Sequence, residues 1–90
     1  MLCMTRDAAT LVARLVEGAA LPKRGGVRIV TDPYRRSLSM STAAVPAREE
    51  TVVSSHGANL FLSPSVARKL AERVLCAEIT PAKSAFYFQD

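Results

Sequence analysis

The stretch Thr51-Val52-Val53-Ser54-Ser55-His56-Gly57-Ala58-Asn59-Leu60-Phe61-Leu62-Ser63-Pro64 decides how this chain folds. Thr51-Val52-Val53-Ser54 is rich in β-branched residues, His56-Gly57 supplies a tight turn, and Asn59-Leu60-Phe61-Leu62 runs back as an apolar strand, so the stretch predicts a hairpin. Ser63-Pro64 then starts a helix, with the hydroxyl as cap and the ring in the first turn, and Val66, Ala67, Leu70 and Ala71 make its apolar face. That helix is expected to stop near Arg73.

Working outward, Val74-Leu75-Cys76-Ala77-Glu78-Ile79 and Ser84-Ala85-Phe86-Tyr87-Phe88-Gln89 read as two further strands around a Pro81-Ala82-Lys83 turn, with Phe86 and Phe88 on one face. Towards the N-terminus, Ser37-Leu38-Ser39-Met40-Ser41 alternates polar and apolar residues and predicts a strand with one buried and one wet face, extending as far as Val45. Val27-Arg28-Ile29-Val30-Thr31 is its neighbour across the Asp32-Pro33-Tyr34 turn, with Arg28 opposite the face of Val27 and Ile29. Residues 1–4 form a short strand. Thr5 caps a helix whose apolar face is Ala8, Leu11, Val12, Leu15 and Val16, and which ends at Gly18 or at Leu21-Pro22. The order β-α-β-β-β-β-α-β-β with short connections predicts a mostly β fold of α+β content, a sandwich of mixed short strands with two flanking helices.

Ninety residues permit one modest core, hiding about 60–65% of the surface the unfolded chain exposes. Arg14, Lys23, Arg28, Arg68 and Arg73 interrupt every apolar run before the ~18 residues a membrane helix needs. Arg6 and Asp7 break the stretch that a secretory leader would keep apolar, so a cytoplasmic protein without membrane association is expected.

Chemistry is sparse. A nucleophile–base set has one histidine to work with, and His56 lies in a turn where it is poorly held. Glu49-Glu50 are adjacent in a loop, point apart on an extended backbone and read as solvated charge. Gly25-Gly26 precedes a strand, not a helix, so it reads as a turn and not as a phosphate loop. Cys3 and Cys76 match no metal-ligand spacing, and each alternates with apolar neighbours that place it on the wetter face of a strand. The net charge of +4 owes much to Lys23, Arg24, Arg28 and the pair Arg35-Arg36 beside Tyr34. These six residues are the candidate contacts for a partner or an anion.

Met4-Thr5-Arg6-Asp7-Ala8-Ala9, the Gly-Val-Arg-Ile strand, Ser37-Leu38-Ser39, His56-Gly57 with its apolar strand and Ser63-Pro64, and Phe86-Tyr87-Phe88 together resemble the A-type iron-sulfur carriers, the HesB/IscA-like proteins. The resemblance covers nearly the whole chain and implies a single HesB-like domain over 1–90. In that family a loop cysteine before the Gly-Leu-Ser strand and a later Cys-Gly-Cys hold iron or a cluster. Here Arg35 falls at the loop position, and the chain reaches Asp90 before any Cys-Gly-Cys. An always-protonated guanidinium cannot ligate iron. The resemblance therefore implies a degenerate carrier without cofactor, metal or catalytic residues, acting through a protein partner or as a homodimer and linked to iron-sulfur cluster assembly. Two alternatives stay open: a binder of nucleic acid or another anion around Tyr34-Arg35-Arg36, and a metal bridged between subunits by Cys3 and Cys76.

Overall fold

A computed structural model describes all of residues 1–90. Seven strands and two helices follow in the order β1 Cys3–Met4, α1 Arg6–Gly18, β2 Gly26–Asp32, β3 Ser37–Ala43, β4 Thr51–Ser55, β5 Ala58–Leu62, α2 Pro64–Lys69, β6 Val74–Ile79 and β7 Ser84–Gln89. They form two mixed sheets, one of order β1-β6-β7 and one of order β3-β2-β5-β4.

The expected hairpin is present. Ser54 pairs with Asn59 and Ser55 with Ala58, leaving His56 and Gly57 as a two-residue loop, and both have positive φ, 50° and 81°. Two successive left-handed residues are what the twist of a short hairpin asks for. β5 then runs parallel to β2, with Val27 opposite Leu60 and Ile29 opposite Leu62, while β2 and β3 pair antiparallel from Gly26–Ala43 to Asp32–Ser37. In the smaller sheet β1 runs parallel to β6, and β7 closes antiparallel on its other side.

One core of 17 buried residues joins the two sheets through α1, whose Ala8, Ala9, Leu11, Val12 and Val16 meet Val27, Ile29, Leu60, Leu62, Leu75 and Ala77. Thr5 caps α1 by accepting from the Ala8 amide, and Ser63 caps α2 by accepting from the Val66 amide. Each cap satisfies a donor that a helix start leaves free.

Local expectations that the structure corrects have simple causes. Leu15 is 41% exposed; the helix needs only the narrower stripe of Leu11, Val12 and Val16 to bridge the sheets. β3 stops at Ala43, because its partner strand begins at Gly26. α2 ends at Lys69 rather than near Arg73, since Leu70 is already in the core and the Ala71 and Arg73 amides turn back to the Arg68 and Leu70 carbonyls to redirect the chain into β6. Gly26 is the first residue of β2, not part of the turn. A Cβ there would collide with the Asn59 backbone carbonyl.

Candidate functional site

The connection between β3 and β4, residues 44–50, is tied across the outer face of the larger sheet by one ion pair. Arg28 stands on β2 opposite the core-facing Val27 and Ile29, as expected, and its Nε donates to Glu50 Oε1 at 3.0 Å and Oε2 at 2.8 Å. Its Nη2 donates to the Val45 carbonyl at 3.1 Å, and Glu50 Oε1 also accepts from the Ala47 amide at 2.6 Å. The guanidinium thus holds the connection at two points. Glu50 is no solvated charge: its side chain is 8% exposed, against 30% for Arg28. The guanidinium hydrogen bonds hold the carboxyl below its ordinary range, and the same bonds raise Arg28.

Phe61 lies on this outer face too, in register with Arg28 and Val52, yet it is 1% exposed and outside the main core. Val30, Val45 and Val52 remain 38–52% exposed.

The β2–β3 turn occupies the far end of the same strand. Asp32 Oδ1 accepts from the amides of Tyr34 and Arg35, at 3.0 and 3.3 Å, and Arg36 closes the turn with φ 52°. Asp32 Oδ2 also lies 4.0 Å from Arg35 Nε. Tyr34 is 96% exposed. Lys23 and Arg24 precede β2 at its opposite end, and the seven-residue strand separates the two groups by about 20 Å. With Arg28 engaged by Glu50, the six candidate contact residues do not converge on one patch.

An iron-sulfur cluster needs thiolate ligands, and the turn offers Pro33, Tyr34, Arg35 and Arg36. These residues do not fit a cluster. No group of three or more His, Cys, Asp or Glu side chains is placed to hold a metal ion.

The only sizeable cavity, about 540 Å³, opens between α1, the loop before β2 and the β4–β5 turn. Val12, Val16, Leu21 and Ala58 line it, with Glu17 and Lys23 among its polar residues. It holds one carboxylate and no thiol, hydroxyl or imidazole, so it offers no pairing of nucleophile with base.

Cys3 is exposed, as expected; Cys76 is not on a wetter face but 4% exposed. It sits on the central strand of its sheet opposite Tyr87 of β7, and its Sγ–H points to Gln89 Oε1 at 3.7 Å. No helix is long and apolar enough to cross a membrane.

Among solved structures, the chain is similar to the crystal structure of Escherichia coli SufA, involved in biosynthesis of iron-sulfur clusters. The TM-score is 0.81 at 20% identity, over 99% of this chain and 84% of that one. It is also similar to the crystal structure of IscA with a 2Fe-2S cluster, with a TM-score of 0.69 at 19% identity, over 100% of this chain and 82% of that one. No family model matches the sequence, and no curated protein does. The fold is therefore the HesB/IscA-like fold that the motifs implied.

Proposed function

We propose that this chain is an accessory protein of iron-sulfur cluster assembly, one that keeps the carrier fold and acts by binding another protein rather than by carrying a cluster or catalysing a reaction. The observation that carries this reading is the β2–β3 turn. At the position where the resemblance puts a ligand cysteine stands Arg35, beside Arg36 and anchored through its amide to Asp32. A guanidinium there, 84% exposed, repels iron and offers an acidic partner a contact. The SufA and IscA likeness supports the link to cluster assembly through the fold. The protein acts in the cytoplasm, where its partner is a carrier-like protein or a second copy of the chain.

The test is anaerobic reconstitution of the full chain with iron and sulfide, followed by visible absorption and metal analysis. The expected result is no stoichiometric iron. A stable cluster that survives desalting refutes the reading.

A further inference from the structure

The seven residues of β3, Ser37–Ala43, form a sheet edge that this chain leaves open. β3 pairs with β2 alone, in unbroken register from Gly26–Ala43 to Asp32–Ser37, and no other backbone hydrogen bond reaches residues 37–43. Alternate N–H and C=O groups along its outer side are therefore without a partner. The strand contains no charge, proline or bulge, the devices that blunt such an edge. None of its residues is buried. Leu38 and Met40 pack on the core from the inner face but stay half-buried, whereas Val27 and Ile29, one strand further in, are 0–1% exposed. A further strand with apolar residues on that face would cover both.

Charge brackets the same edge. At the Ser37 end stand Arg35 and Arg36, and Arg36 has no carboxylate partner. At the other end Gly26 is in register with Ala43, and Arg24, exposed and likewise unpaired, lies two residues before Gly26. The two cationic ends are about 20 Å apart, the length of an extended segment of about six residues. Basic residues that share no common patch thus share one edge.

We propose that the β3 edge receives an extended segment of about six residues from another protein, alternating apolar with polar side chains and flanked by an Asp or Glu at each end. This rests on the reading above that the chain acts by binding a protein, and it names what that partner must present. Backbone pairing docks the segment, and the two flanking carboxylates fix its position along the edge. A second copy of the chain does not meet these terms. Its β7 runs between Lys83 and Asp90, its β4 between Glu50 and His56 and its β3 between Arg36 and Ala44, so no edge strand has an acid at both ends. The other edges of this molecule suit the segment less well: β1 packs beside β4, and β7 ends at the exposed carboxylate of Asp90, which repels an acidic chain.

The experiment titrates the synthetic peptide acetyl-Glu-Thr-Val-Thr-Ile-Thr-Val-Glu-amide into the nitrogen-15-labelled full chain at low salt, following amide shifts and amide exchange residue by residue. The expected result is shifts concentrated in residues 37–43, slowed exchange at alternate β3 amides, and binding that weakens as salt is added. Arg24→Glu and Arg36→Glu each weaken it about fivefold; both side chains are exposed, and unchanged melting verifies the fold. A peptide with Lys in place of both Glu residues does not bind. Absence of binding, equal binding of the Lys peptide, or shifts in residues 84–89 in place of 37–43 overturns the proposal. So does a dimer whose β3 amides are already protected without peptide, because the edge would then belong to a second copy. Iron reconstitution is independent of all these outcomes. A chain that fails here yet takes up no iron keeps the accessory reading and loses only this docking edge, whereas a stable cluster removes the reading itself.

Discussion

Replacing Glu50 with alanine removes the carboxylate that holds the 44–50 connection. Two donors lose their acceptor, the Arg28 Nε–H shared between both carboxylate oxygens and the Ala47 amide, and Arg28 is left without its counter-ion. An exposed ion pair contributes about 0–1 kcal/mol, and breaking a fully buried one costs about 3–5 kcal/mol. With 8% and 30% side-chain exposure this pair falls between those limits, and we expect a loss of about 2 kcal/mol. In a 90-residue domain that corresponds to a fall in Tm of about 8–16 °C. Urea unfolding of wild type, Glu50→Ala and Glu49→Ala measures it, the last as a control because Glu49 is exposed and has no partner. Amide exchange at Ala47 should accelerate in Glu50→Ala alone. If Glu50→Ala and Glu49→Ala lie within 0.5 kcal/mol of each other, roughly the spread expected of surface changes, the connection is not held as described.

The same pair sets a pH dependence. Because the folded-state pKa of Glu50 is below its ordinary value of 4.5, its contribution is present above that value and is lost as pH falls through the folded one. Acid destabilisation below about pH 4.5 should therefore be shallower in Glu50→Gln, and parallel curves for the two proteins contradict the assignment. Gly26→Ala should cost about 1–3 kcal/mol, since the new methyl group must push the Asn59 carbonyl of β5 away from β2; an unchanged urea midpoint excludes that close approach. At position 56, with φ 50°, His56→Asn should be neutral or stabilising and His56→Val should lose about 1–2 kcal/mol. Equal stability of those two variants refutes the left-handed turn.

What the sequence made legible was local. Alternation in Ser37–Ser41, the His56-Gly57 turn and the Ser63-Pro64 cap each depend on residues within a few positions of one another, and each is found where expected. What it hid depends on distance along the chain. Glu49 and Glu50 look alike as sequence, and only the arrival of Arg28 from 22 residues away separates a buried carboxylate from a solvated one. Cys76 alternates as a strand residue should, but it is buried where Tyr87 pairs with it and Gln89 Oε1 reaches its Sγ from β7, contacts 11 and 13 residues away that pattern alone does not reveal. The six basic and aromatic candidates were grouped by charge, and the length of β2 pulls them apart.

The two-residue strand β1 has a consequence for how the chain comes off the ribosome. Cys3 and Met4 find their partners at Val74 and Leu75, 71 positions later, a closure costing about 4 kcal/mol of chain entropy. At about 5–20 residues per second, synthesis takes roughly 4–14 s to reach that partner strand. β2 is made early in that interval, but β5 is complete only at Leu62, so Leu11, Val12 and Val16 of α1 first have β2 alone to pack on and gain β5 about 1–2 s before β6. The nascent chain thus spends seconds with the β6-facing side of its central helix uncovered, and chaperone capture belongs to that window.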